Sequence, residues 1–405
     1  MLPPERRTRA DVLAAAAIVV VIVLVGVVVW QRSDAHGTVS VTARTPATQP
    51  ATALAVPSTV RELWRAASPA STAPIVANGA VVTADDGTVT GLDPLSGAQL
   101  WHYRRNMPLC GAIGAWGTAV AVYRDQRGCS QVTQLDGSDG HRTGSRTSYA
   151  DDSVELSEDG TYVLSRGANR LELWRSDLVR TLEYGYVDAP VNPKNQPRTG
   201  CTLLSAASSG TRLGVLEQCP GEVAARLTVL NPVPKDATKP EEYGSAVVPD
   251  LAGGDGARLL ATSGDRIAVY VPGDNVNLRP YLGIFDATAQ EVARYPLSER
   301  LPANATVVKV PGAFLLWTGA AVVALRAGDL APLWSALGAI GPGTAMAGTI
   351  VVPVPGAMQV LDPTTGRPTN RIPVQRPDQI SDPILTAVVG NTIVEQRGDQ
   401  LVALG

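Results

Sequence analysis

The residues of this 405-residue chain best suited to chemistry are four cysteines and three histidines. Cys110 and Cys129 stand 19 apart, and Cys201 and Cys219 stand 18 apart. Thiols can hold zinc or form disulfides. A zinc site needs closely spaced ligands completing a tetrahedral set. The chain has no CxxC, and His36, His102 and His141 do not complete one, so no metal is expected. Several pairings are open to four cysteines. The spacing favours the two local ones, Cys110–Cys129 and Cys201–Cys219, in an oxidising compartment.

Catalytic motifs are absent from the sequence. It holds no phosphate-binding G-x-x-x-x-G-K-[ST], no H-E-x-x-H and no G-x-S-x-G elbow. His102 follows Trp101 and His141 sits in a turn, neither with a Ser or Cys partner at a readable spacing. Gly253-Gly254-Asp255-Gly256 is followed by no helical pattern and reads as a connection. What remains are polar insertions suited to contact. Arg124-Asp125-Gln126-Arg127 forms a charged turn. Val187 to Gly200 carries Asn192, Lys194 and Arg198. Pro272 to Pro280 carries Asp274, Asn277 and Arg279. A net charge of −3 argues against nucleic acid as a partner.

The elements that must position these residues repeat. Gly79, Gly117, Gly160, Gly210, Gly264, Gly312, Gly348 and Gly390 each open a short run of apolar, mostly β-branched residues. Their mean step is about 44 residues, the length of one four-stranded propeller blade. A second marker follows each glycine: a strand ending in an apolar residue, then a polar turn. Leu92-Asp93-Pro94-Leu95-Ser96-Gly97 and Leu361-Asp362-Pro363-Thr364-Thr365-Gly366 are the clearest copies. Asp accepts hydrogen bonds within the turn, Pro presets φ, and Gly takes positive φ. Leu63-Trp64, Leu100-Trp101 and Leu333-Trp334 fall on the outer strand, where an aromatic can wedge between blades. Each expected disulfide would staple one blade, joining the start of its first strand to the second turn.

These patterns predict an all-β fold: one eight-bladed propeller, with seven blades the alternative if a degenerate unit in 150–250 is an insertion. The chain ends on a third strand at Leu404, so a fourth must come from elsewhere. Val60–Ala66, with its Leu-Trp pair, is expected to lie beside Gln400–Leu404 and close the ring. The b–c turns and d–a connections then share one face, which gathers the three polar insertions as a candidate partner surface. Asn231 to Tyr243 falls on the other face.

The run Asp86-Gly87-Thr88-Val89-Thr90-Gly91-Leu92-Asp93-Pro94-Leu95-Ser96-Gly97-Ala98-Gln99-Leu100-Trp101 resembles the repeat of quinoprotein-type, PQQ-like propellers. The resemblance covers roughly 60–405. It is nearer to the small membrane-tethered propellers that serve as assembly scaffolds than to the quinoprotein dehydrogenases. Family members that use the quinone have an adjacent Cys-Cys pair and a Ca²⁺ site. This chain has no adjacent cysteines, so the resemblance implies the fold without the cofactor, and no catalytic residue carries over.

Ahead of the propeller, Val12 to Trp30 holds no charge and would span about 28 Å as a helix, close to a bilayer's hydrocarbon core. Arg6, Arg7 and Arg9 precede it, whereas Arg32 is balanced by Asp34. The positive-inside bias places residues 1–11 in the cytoplasm, 12–30 as an uncleaved signal anchor, and the propeller, 59–405, outside. Residues 31–58, rich in Thr, Ala and Pro, read as a flexible tether reaching about 28 Å. The functional expectation is a non-catalytic, membrane-anchored scaffold for unidentified envelope proteins. A glycan- or small-ligand-binding module and a degenerate quinoprotein enzyme are the alternatives.

Overall fold

The computed structural model describes residues 8–190, 192–252, 256–274, 278–377 and 382–405. Arg6, Arg7, Gly253 to Asp255 and Asn277 lie outside them.

Eight antiparallel sheets form the ring. Blade 1 runs through Ile75–Ala77, Ala80–Asp85, Thr88–Leu92 and Gln99–Arg104 as strands a to d. The order a-b-c-d recurs in blades 2 to 7, which begin at Leu109, Glu155, Thr202, Arg258, Thr306 and Thr344. All eight marker glycines sit between strands a and b of successive blades. Seven of them, all but Gly210, have φ between 53° and 91°, a region that side chains disfavour.

Blade 8 is composite. Leu385–Val389, Thr392–Arg397 and Gln400–Leu404 are completed by Glu62–Ala67, which pairs antiparallel with Gln400–Leu404. The expected closure is therefore the observed one, and both edges that an open ring would expose are paired.

The core lies in the junctions between blades. Successive clusters join blades 1 and 2 around Trp101 and Tyr123, 2 and 3 around Val163 and Trp174, and 3 and 4 around Leu171 and Leu213. Each blade therefore buries its apolar face only against its neighbours. At the closing junction four buried residues, Val81, Val389, Val394 and Leu401, meet in a small cluster.

Outer-strand tryptophans dock into the c–d turn of the following blade. Trp64 Nε1 donates to Pro94 O at 3.0 Å, Trp101 Nε1 to Gly137 O at 2.8 Å, and Trp334 Nε1 to Pro363 O at 2.9 Å. Gly97, Gly140 and Gly366 leave no room for a Cβ beside these rings. Leu-Trp and the Asp/Gly turn are thus two halves of one joint between neighbours.

The segment expected to be a free tether is docked. After the helix Arg9–Arg32 and a short helix Asp34–Gly37, Val39–Val41 pairs with Gln99–Arg104 as a fifth strand on blade 1. The chain then crosses the a–b/c–d face. Ala43 N and Ala47 N donate to Asp139 O and Ser138 O on blade 2 at 2.9 and 2.8 Å. Thr48 lies against Gly79, Pro50 lies against Gly390, and Ala53 is buried with Met346 and Met358. Small side chains let this strap approach the glycine turns closely, and the blade edge satisfies backbone groups that a free tether would leave to water.

Candidate functional site

Both local disulfides are present, Cys110–Cys129 within blade 2 and Cys201–Cys219 within blade 4. Cys110 lies in strand a and Cys129 in strand c. Cys201 precedes strand a and Cys219 follows strand b. Each bond staples one blade at its b–c/d–a end.

The three polar insertions share the b–c/d–a face but are spread from blade 2 to blade 5. Arg124, Gln126 and Arg127 are exposed at the tip of the b–c hairpin of blade 2. Asp125 organises this tip, accepting from Arg127 N at 2.7 Å, Ser130 Oγ at 2.6 Å and Gln131 Nε2 at 2.7 Å. Arg279 is exposed on the b–c turn of blade 5, where Leu278 N donates to Asp274 Oδ1 at 2.8 Å. Asn277 lies outside the described residues.

The 192–198 insertion differs from expectation. Asn192 and Lys194 are exposed. Arg198, however, pairs with Glu242 at 2.6 Å and donates to Tyr184 Oη at 3.2 Å. Gln196 Nε2 donates to Glu183 O and Thr238 O, and Asn195 Nδ2 to Thr238 Oγ1. The long c–d loop of blade 4 wraps over the outer strand of blade 3 and meets this connection, with Glu183 N donating to Ala237 O at 2.9 Å. Arg198 therefore clamps this connection to the outer strands of blades 3 and 4.

Buried charge is concentrated where the sequence pointed to nothing. On blade 3, Glu172 accepts from Arg170 at 2.6 Å, Trp174 Nε1 at 2.8 Å, Ser148 Oγ at 3.0 Å and Arg180 at 3.2 Å. Arg146 of blade 2 adds a contact at 3.1 Å, and Arg170 also holds Glu183 at 2.7 Å. Burial raises the Glu172 carboxyl, but Arg146 and Arg170 outweigh it and hold it below the usual range. In blade 4, burial pushes Glu217 up, opposed by hydrogen bonds from Thr228 and Tyr184 and by Arg198. In blade 8, fully buried Glu395 is held by Arg376 and Arg397. Arg146, Arg170, Arg180 and Arg397 lie on blade strands, whereas Arg198 and Arg376 lie in connections between blades, so these charges tie strands to strands and strands to connections.

Two groups could approximate a metal-ligand set among the described residues. Cys201, Glu217 and Cys219 form one, with both sulfurs spent in the disulfide. Asp136, Asp139 and His141 form the other, on the c–d turn of blade 2. There Asp136 accepts from Ser138 N and Asn78 Nδ2, and Asp139 accepts from His141 N and meets its Nδ1 at 2.6 Å. This is the bonding of a tight turn. His102 meets Gln99 at 3.0 Å, away from His141.

The adjacent cysteine pair of quinone-using relatives has no counterpart here. The cysteines are bonded within blades 2 and 4. At the centre of the ring, Lys309 Nζ of blade 6 reaches over to blade 3 and donates to Asp159 O at 2.9 Å.

Ring, glycine-led strands and Trp–turn joints define this chain as an eight-bladed β-propeller. The family model described as outer membrane protein assembly factor BamB matches residues 18–171. Among solved structures, BamB from Moraxella catarrhalis is 12% identical over 85% of this chain and 99% of its own, with a TM-score of 0.50. Sqt1 from Saccharomyces cerevisiae is 8% identical over 88% and 98%, also with a TM-score of 0.50. At these identities the likeness is one of fold. No curated protein matches the chain.

Proposed function

We propose that this chain is a non-catalytic interaction scaffold in the assembly of the cell envelope. It is anchored by Arg9–Arg32, with its N-terminus in the cytoplasm and its propeller outside. The observation that carries the reading is the match of residues 18–171 to a family model named for an assembly factor. The architecture supports it. Inter-strand ion pairs and two disulfides hold the turns in place, so binding need not order a long stretch of chain. Exposed Arg124, Arg127, Lys194 and Arg279 offer charged contacts on the b–c/d–a face. The helix is long and apolar enough to cross a membrane.

Photo-crosslinking amino acids at Gln126, Lys194 and Arg279, with Thr364 on the opposite face as control, test the reading in intact membranes. Adducts to envelope proteins at the first three positions and not at Thr364 are expected. Adducts only at Thr364, or none above background from a correctly folded chain, would reject the proposed face.

A further inference from the structure

The strap changes how the ring meets the membrane. We propose that the blade 1–blade 2 sector of the b–c/d–a face rests on the phospholipid headgroup layer, held there by a fixed elbow. This rests on the reading of Arg9–Arg32 as a membrane span.

The elbow is built from five contacts within a few residues. Asp34 pairs with Arg105 in the connection between blades 1 and 2, and that guanidinium lies 5.2 Å from the Tyr123 ring centre. Thr38 Oγ1 donates to Asp34 O at 2.8 Å. Gly37 is backed so closely against Asn106 that an added Cβ would sit 2.8 Å from the Asn106 Cβ. Val39–Val41 then joins the sheet, Val39 opposite Arg104. Trp30, in the last turn of the helix, meets His36 edge-on at 6.0 Å.

Tryptophan at the end of a span belongs at the headgroup level. Asp34 follows four residues later, beyond the extended Ser33 that ends the helix, so the chain holds it within about 14 Å of Trp30. Arg105 must therefore lie near the headgroups, whatever the tilt of the span. Arg124 N donates to Pro108 O at 2.9 Å, which ties the blade 2 hairpin to the same connection. Exposed Arg104, Arg124 and Arg127 thus share the rim that the elbow brings down. Asp34 is matched by Arg105, and Asp125 is bound into its own turn. Exposed Asp85 and Asp86 add acid on the neighbouring turn. The rim is mixed in charge, with arginines placed for lipid phosphates and acids for headgroup amines. The a–b/c–d face, which the strap crosses, points away.

The test uses the full chain in vesicles of phosphatidylcholine and phosphatidylglycerol doped with headgroup spin-labelled lipid. A fluorophore is placed at Gln126→Cys or, separately, at Thr364→Cys. Quenching several-fold stronger at 126 than at 364 is expected. Adding Asp34→Ala with Val41→Pro, which removes the ion pair and a ladder N–H, should bring the 126 value towards that at 364 while flotation and the melting temperature persist. Equal quenching at the two positions in a chain that floats with the vesicles would overturn the proposal. So would quenching at 126 that the elbow variant leaves unchanged. A chain that fails to float would instead remove the membrane reading beneath it, and the proposal with it.

Discussion

Glu172→Gln should be among the more damaging single substitutions in the ring. The carboxylate sits between Arg146, Arg170 and Arg180 and is 4% exposed. An amide of the same shape removes the charge and turns an N–H₂ towards groups that are themselves donors. Three guanidinium groups would then share Glu183 as their remaining carboxylate within this cluster. Breaking a buried ion pair by removing one partner costs about 3–5 kcal/mol. With unfolding entropy of about 2 cal/mol/K per residue, a ring of this size should melt about 4–7 °C lower. Thermal unfolding of the detergent-solubilised chain measures this. The pH dependence provides a second readout. The Glu172 carboxyl is held below its ordinary range, so its contribution is present above the unfolded carboxylate range and lost as pH falls through the folded value. The gap between wild type and variant should therefore close on acidification. Removing one cation as well, in Glu172→Gln/Arg146→Met, should recover part of the loss. A drop below about 1 kcal/mol, as for a surface pair, with a gap that does not change with pH, would refute the argument.

Paired replacement of Cys110 and Cys129, or of Cys201 and Cys219, by serine should cost about 3 kcal/mol each on the chain-entropy account, read by urea titration. Non-reducing peptide maps of the native protein should give only the two local bridges. Glu217→Gln should gain on the wild type as pH rises above the carboxylate range. The raised Glu217 carboxyl favours the fold while protonated, and that advantage fades through its folded value; a flat difference between pH 4 and pH 8 would count against it. Deleting Gln400–Leu404 should free Glu62–Ala67, making Arg65 a rapid trypsin site.

The ring was legible because its markers are backbone requirements. Glycine between strands a and b, the Asp-led c–d turn and the unmatched third strand at the C-terminus each leave a residue-type signature. The disulfides were legible because each closes a single blade. The strap was not. Its attachments are largely backbone hydrogen bonds and close approaches to glycine, which impose no apolar period on residues 38–58. Ala53 alone of that stretch is buried. Buried charge was hidden for a different reason. Arg170-Leu171-Glu172-Leu173-Trp174 alternates as a half-exposed strand should, yet in a propeller both sheet faces are covered, and the charged face meets blade 2. The clamp made by Arg198 was hidden because its partner Glu242 is distant in the chain. Nothing local announces such a pairing.

Closing blade 8 with Glu62–Ala67 has a consequence in time. Ala67 pairs with Gln400, some 330 residues later in the chain. Bringing such distant ends together costs about 5 kcal/mol in loop entropy, beyond a constant. At ordinary synthesis rates of about 5–20 residues per second, the first strand emerges roughly 20–70 seconds before its partner exists. Throughout that interval it offers an open edge, and any passing extended segment can compete for it. The junction it finally completes is held by a buried apolar cluster of four residues. A slow codon or a slow export step late in the chain would therefore lengthen the period in which this protein can pair with the wrong strand.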